Sequence, residues 1–228
     1  MINKRYLFPL YFLTFLSVFS QDIEKRTLTM SPFYGVKVFS KLDIKLIPSE
    51  FNKAVIYGDH KDEVVLSVKN NIIKIKLSSK SFLDPGYTYI ELHHSEPLHQ
   101  IVAHQGVTLS GEPIEQTSLK VEARSGAAIT LNTTVDRLDV TSNTGGRVIL
   151  EGRATSFRLS INTGGSCEAE ELVTEQSEIK IYAGGYAYVT ATELVDAKVV
   201  GGGVLRVYGN PQKQITDIKF TGKIVIEQ

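Results

Sequence analysis

Four of the five histidines lie close together and are the first candidates for chemistry, as metal ligands. They are His93, His94, His99 and His104. A metal site needs several ligands that converge on one point, whereas His93 and His94 are neighbours on an expected strand and should point to opposite faces. We therefore expect solvated or end-cap histidines, and the sequence predicts no metal and no cofactor.

An acidic run at Glu168, Glu170 and Glu171 is the second candidate, for acid catalysis on a polysaccharide. A retaining glycosidase holds two carboxyl groups about 5–5.5 Å apart across its substrate. The positions equivalent to Glu168 in neighbouring repeats carry no second carboxylate, so a solvated acidic edge is the preferred interpretation. Motifs of nucleotide hydrolases, serine hydrolases and zinc proteases are missing from the sequence. We predict no catalytic residue and keep a polysaccharide lyase or hydrolase using Glu168 and Glu170 as the alternative.

Tyrosines crowd one short segment, at Tyr182, Tyr186 and Tyr188, and Arg206 follows about one repeat later. We expect these side chains to face outward. Aromatic planes beside a guanidinium group suit both sugar rings and protein contacts. These four residues are the candidate binding surface for a glycan or protein partner, and isolated surface tyrosines are the alternative.

The elements that position these residues repeat about every 19 residues. Gly-Gly pairs recur at 145–146, 164–165, 184–185 and 202–203, at spacings of 19, 20 and 18 residues. A fixed period near 20 indicates a solenoid, and glycine suits its corners because it adopts positive φ without Cβ strain. Steps of 19 or 20 residues from these pairs also reach single glycines, two before the first pair and one after the last. The predicted turn glycines are Gly106, Gly126, Gly145, Gly146, Gly164, Gly165, Gly184, Gly185, Gly202, Gly203 and Gly222.

Apolar residues alternate on both sides of each glycine site, which predicts a strand, a turn and a second strand in every coil. Stacked coils then form inward columns, in which Cys167 is a small buried hydrophobe. Residues 32–98 alternate without the glycine period, so we expect an irregular β cap there and the solenoid proper over 99–228. The predicted columns are Val140, Leu159 and Ile179, and Val148, Cys167 and Ala187.

The N-terminus has the layout of a secretory signal peptide over residues 1–20, followed by an extension over 21–31. A basic start, Met1–Arg5, precedes the apolar run Tyr6–Phe19 and a small residue, Ser20. No later apolar run reaches 18 residues, so we expect no transmembrane segment in the mature chain. Export to the periplasm, the outer membrane surface or the exterior follows.

Charge and cysteine content exclude several classes of protein. The 25 basic residues match 25 acidic residues, which argues against a nucleic-acid-binding protein. The single cysteine rules out an intrachain disulfide and a cysteine-based zinc cluster.

The segment 194–211, Leu-Val-Asp-Ala-Lys-Val-Val-Gly-Gly-Gly-Val-Leu-Arg-Val-Tyr-Gly-Asn-Pro, resembles a motif of a known bacterial family. That family is the "putative auto-transporter adhesin, head GIN domain" family of secreted Bacteroidota proteins, and the resemblance extends over about residues 32–226. It implies an all-β fold, a right-handed parallel β-helix-like solenoid, and adhesion without an established ligand. Several turn positions depart from the family's usual Gly-Ser-Gly or Gly-Ala-Gly. They are occupied by Ala127, Arg147, Tyr186 and Lys223.

Together these patterns predict a non-catalytic, exported structural or binding module of the cell envelope. Its expected partner is an unidentified protein or glycan. The sequence leaves open whether the chain forms a homo-oligomer.

Overall fold

The computed structural model of this protein describes residues 24–78 and 86–227, so the expected signal peptide lies outside the described residues. In those ranges the regular structure is a 17-stranded sheet and a 3₁₀ turn at Lys61–Glu63. The strands are β1 (Lys25–Thr29), β2 (Gly35–Val38), β3 (Asp43–Pro48), β4 (Lys53–Gly58), β5 (Val64–Lys69), β6 (Ile72–Leu77), β7 (Thr88–His94), β8 (Gln100–Ala103), β9 (Thr108–Gly111), β10 (Ile114–Arg124), β11 (Ala128–Asn143), β12 (Arg147–Asn162), β13 (Ser166–Tyr182), β14 (Tyr186–Val200), β15 (Val204–Tyr208), β16 (Lys213–Lys219) and β17 (Lys223–Ile226).

Parallel pairing of β10 to β15 in sequence order forms the expected β-solenoid. Both predicted columns are confirmed, because Leu159 is in register with Val140 and Ile179, and Cys167 with Val148 and Ala187. All six side chains are buried. Each large one contributes roughly 1.5–3 kcal/mol by leaving water, so the stacked columns supply the core that a single coil lacks.

The glycine turns have a second left-handed residue that the glycine period does not reveal. Thr144 has φ of 50° and Gly145 has φ of 70°, and Thr163 and Gly164 repeat the pair at 50° and 72°. Backbone hydrogen bonds connect the turns of adjacent coils. The Thr144 amide donates to the Asn162 carbonyl at 3.2 Å, and the Thr163 amide donates to the Tyr182 carbonyl at 3.1 Å. This ladder holds threonine in a conformation that β-branched residues rarely adopt.

Solenoid coils extend into the region that the sequence analysis assigned to an irregular cap. The strand β2 lies between β6 and β8, and β3 lies between β7 and β9, all in parallel. The first coil along the chain is therefore inserted between later ones. Its turn escaped the glycine search because Ser40, with φ of 71°, occupies the left-handed position.

The end of the stack is covered by antiparallel strands. The strand β5 pairs with β6, and β4 pairs with β7. The expected extension contributes β1, which pairs with β4. Such pairing satisfies backbone N–H and C=O groups at the edge of the sheet, which could otherwise pair with a strand of another chain. Within the described ranges, no helix is long and apolar enough to cross a membrane.

Candidate functional site

The outer face of the strands that follow the glycine turns carries most of the predicted binding surface. Alternation points every second residue outward, and the parallel register aligns these residues in two columns. One column runs from Arg147 to Tyr186, and the other from Glu168 through Tyr188 to Arg206. We call these five residues the tyrosine face.

A three-residue hydrogen-bond network ties the tyrosine face together across three coils. Arg147 donates from Nε to Glu168 Oε1 at 3.0 Å and from Nη2 to Glu168 Oε2 at 2.8 Å. The Tyr186 hydroxyl donates to Glu168 Oε1 at 2.9 Å. Two parallel bonds from a guanidinium group fix the carboxylate in position as well as pairing its charge. Tyr186 is thereby anchored through its hydroxyl.

The network also sets the ionisation of its members. The hydrogen bonds from Arg147 lower the pKa of the Glu168 carboxyl against the opposing effect of partial burial, and the Tyr186 bond adds to the lowering. The same bond to Glu168 raises the pKa of the Tyr186 hydroxyl. Glu168 is thus an ionised acceptor with both oxygens engaged, and Tyr186 is a neutral donor.

Tyr188 completes an aromatic pair beside this network. The ring centroids of Tyr186 and Tyr188 are 5.3 Å apart with the planes tilted by 39°. Arg206 is in register with Tyr188 on the next strand, and its Nη1 lies 3.5 Å from Glu227 Oε1. Half of the Arg206 side chain is exposed, at 48%. The face therefore presents a guanidinium group and two half-buried rings, of which Tyr186 is held in place by its hydrogen bond.

Tyr182 lies apart from the tyrosine face. It ends β13 before the turn at 183–185, in register with Asn162 and Val200. Tyr186 and Tyr188 begin the strand after that turn. The structure therefore brings together three of the four predicted surface residues and leaves Tyr182 on the adjoining strand.

The carboxylates are arranged differently from the sequence-based expectation. The register of β13 is irregular beside Ala169 relative to both neighbouring strands. As a result Glu171 is paired with Glu151 on β12, and both are exposed. This acidic pair between neighbouring coils was missed because the extra residue in β13 shifts the spacing. Glu170, the expected partner of Glu168, is exposed beside it.

The histidines make contacts with neighbouring rings and backbone groups. The rings of His99 and Tyr34 are stacked at 6.0 Å, and those of His104 and Phe39 at 4.8 Å. The Nδ1 atom of His94 lies 2.9 Å from the Glu96 carbonyl oxygen, and burial lowers the pKa of His94. Over 24–78 and 86–227, no group of three or more His, Cys, Asp or Glu side chains is placed to hold a metal ion.

Arg147 is the site residue that sequence reasoning missed. It was noted only as a departure at a turn position, although it sits one column over from Glu168 on the preceding coil. The sequence signal that could have found it is opposite charge at outward positions of adjacent coils. Such positions must be compared with diagonal neighbours, two residues along the next strand, as well as with direct register partners. A long guanidinium side chain reaches such diagonal neighbours across a sheet.

The fold and the exposed faces define a β-solenoid domain. The chain belongs to the family described as "Putative auto-transporter adhesin, head GIN domain", whose sequence model matches residues 32–211. The resemblance stated above is thereby confirmed for the greater part of the chain. Among curated proteins, none matches it.

Solved structures with the same fold come from species of Bacteroides and Parabacteroides. A "putative adhesin" from Bacteroides fragilis superposes with a TM-score of 0.81 at 23% identity, over 91% of this chain and 98% of that one. A "putative adhesin" from Parabacteroides merdae gives 0.72 at 18% identity, over 89% and 95%. A "putative lipid binding protein" from Parabacteroides distasonis gives 0.63 at 18% identity, over 89% and 96%. At these identities the likeness establishes the fold.

Proposed function

We propose that this protein is a non-catalytic binding module exported to the cell envelope, and that its tyrosine face holds a glycan or protein at the cell surface. The observation that carries the proposal is the anchoring of Tyr186 by Glu168 and Arg147, with Tyr188 packed beside it. Membership in a family named for adhesins supports adhesion as the role. The apolar N-terminal run supports export.

Rigidity is the physical reason why this face suits recognition. A side chain that is already fixed loses less conformational entropy when a ligand binds. The Tyr186 hydroxyl is held at 2.9 Å by a carboxylate, and the carboxylate is held twice by Arg147. Neighbouring rings then offer a preformed platform to a sugar ring or an apolar side chain, while Arg206 adds charge and hydrogen-bond donors.

The same network argues against Glu168 as a catalytic acid. A general acid for glycoside cleavage needs a raised pKa, so that it carries a proton near neutral pH. Arg147 and Tyr186 lower the pKa of Glu168 and occupy its oxygens. The pair of Glu151 and Glu171 is the observation that keeps the enzyme alternative testable, because these carboxylates lie on adjacent strands.

A glycan-array screen followed by titration with the best binder tests the proposal. Tyr186→Ala should weaken binding at least tenfold, because it removes half of the platform and leaves Glu168 with one fewer donor. Tyr182→Ala is the matched control, since it deletes the same side chain across the turn and should bind like the parent. Equal losses in both variants, or none in either, would refute the assignment to this face.

The enzyme alternative is tested in parallel with a panel of neutral and acidic polysaccharides. We expect no release of reducing or unsaturated ends. Product release that disappears in Glu168→Gln or Glu171→Gln would replace the binding proposal by a lyase or hydrolase. The two variants also distinguish which carboxylate carries the reaction.

A further inference from the structure

A second face of the solenoid concentrates positive charge although the whole chain is neutral. It is formed by the outward side chains of β6, β2, β8 and the C-terminal end of β10, which are neighbours in the stack. These strands contribute segments 34–39, 72–76, 99–104 and 120–124. The four segments contain a single acidic residue, Glu122, and it forms an ion pair with Arg124. The cations of this face are Lys37, Lys74, Lys76, Lys120 and Arg124.

Two of these cations directly oppose each other. Lys37 and Lys74 are register partners on adjacent parallel strands. Among the ion pairs formed by the described residues, none includes either lysine. The Lys74 ammonium group instead lies 4.8 Å from the centroid of the Phe39 ring. Like charges opposed across strands destabilise a sheet, so a bound anion would relieve this arrangement.

Stacked rings bracket the lysine pair at both ends of β2. Phe39 and His104 stack at 4.8 Å with planes 11° apart, and Tyr34 and His99 stack at 6.0 Å with planes 23° apart. Tyr34 and Phe39 are five residues apart, which corresponds to roughly 16 Å along an extended strand. One ring pair thus lies at each end of β2, and Lys74 contacts the ring of Phe39 at the C-terminal end.

A groove lies at the Tyr34 end of β2. A cavity of about 420 Å³ there is lined by Tyr34, His99 and the Asn70–Asn71 turn. Gly35, which has no side chain, also lines it. At the other end of β2, burial lowers the pKa of His104, and Arg124 and Lys37 add to the lowering against the opposing effect of Glu122. A neutral imidazole at that end can both donate and accept a hydrogen bond.

We propose that this face is a second binding site, and that it takes an acidic polysaccharide. Lys37 and Lys74 pair with carboxylate or sulfate groups, and the stacked rings pack against sugar rings. The amides of Asn70 and Asn71 at the rim match sugar hydroxyls. This combination of rings and cations beside a groove rimmed by amides favours a polysaccharide over a bilayer surface, which requires apolar side chains that insert. The site lies on different strands from the tyrosine face and does not depend on it.

Two polymer pairs test the proposal with the full-length protein. Polygalacturonate is compared with its methyl ester, and dextran sulfate with neutral dextran, by calorimetry or fluorescence anisotropy at several salt concentrations. At least one acidic polymer should bind, and its neutral counterpart should bind at least tenfold more weakly. Binding should also weaken as salt is raised, because the contacts are ionic. No binding of either acidic polymer, or equal binding of a neutral one, overturns the proposal.

Charge-matched variants separate this site from general attraction to polyanions. Lys37→Gln/Lys74→Gln should weaken binding by roughly tenfold, the combined effect of two exposed charge contacts. Lys213→Gln/Lys223→Gln removes the same charge from the opposite end of the stack and should bind within twofold of the parent. Neither should melt below the parental temperature, and Lys37→Gln/Lys74→Gln should melt slightly higher because it removes the opposed charges. Equal losses in the two variants, or tighter binding of a DNA oligomer or anionic vesicles, would overturn the assignment. Tyr186→Ala should leave this binding intact, so each site can fail alone.

Discussion

Replacing Gly145 by valine should destabilise the solenoid through backbone conformation alone. Gly145 has φ of 70°, and a Cβ added there meets no atom within 4 Å, so crowding contributes little. A left-handed conformation costs an ordinary L-residue about 1–2 kcal/mol, and a β-branched side chain belongs at the upper end. We therefore expect a loss of about 2 kcal/mol. For a chain of this size that corresponds to a fall in melting temperature of roughly 4–8 °C.

Thermal melts followed by circular dichroism measure this effect, with Gly145→Asn as the matched control. Asparagine also adds a Cβ into open space but tolerates the left-handed region, so it should lose less than half as much. Gly165→Ala adds the contrasting case, because its Cβ would lie 2.6 Å from the Ser142 carbonyl oxygen. If Gly145→Val melts at the parental temperature, or no lower than Gly145→Asn, the glycine period does not arise from left-handed turns.

Two further predictions concern Cys167 and Glu168. Burial raises the pKa of the Cys167 thiol, so the folded protein should resist a thiol reagent and react fully only after denaturation; rapid labelling of the native state would contradict the inward column. The lowered pKa of Glu168 means that its network adds stability above the ordinary carboxyl pKa of 4.5 and loses it as the pH falls through the lower folded value. The stability gap between the parent and Glu168→Gln should therefore be full at neutral pH and narrow progressively as the pH falls below 4.5, and a gap that widens in acid would refute it.

The solenoid could be predicted because its signals are local. Glycine at a left-handed turn and alternation on either side are each visible within one repeat, as at Gly145 and the strand beginning at Arg147. The coil formed by β2 and β3 was missed for the same reason. Its turn uses Ser40 in the left-handed position, and Gln105 of the neighbouring coil accepts a hydrogen bond from the Ser40 amide at 3.3 Å. A contact from a distant residue replaces the local signal there.

Predicting the tyrosine face required more than alternation. The outward direction of Tyr186 and Tyr188 follows from the period of two, but their neighbours depend on how the coils align. A register irregularity beside Ala169 changes which acids meet, so Glu171 and Glu151 become partners without matching a fixed period. The diagonal bond from Arg147 to Glu168 likewise depends on side-chain reach. Register and reach are properties of the stack, and no single repeat encodes them.

The two proposed sites differ in how the stack creates them. The tyrosine face joins consecutive coils, so its members lie about one period apart and a careful alignment of repeats recovers them. The lysine pair joins β2 to β6 only because the first coil is inserted between later ones. Lys37 and Lys74 therefore become neighbours through chain order that no period describes. An insertion of this kind places unpaired like charges side by side, and the fold retains them next to a groove and two stacked ring pairs. An acidic polysaccharide bound there would neutralise the lysines, while its sugar rings pack against the stacked rings.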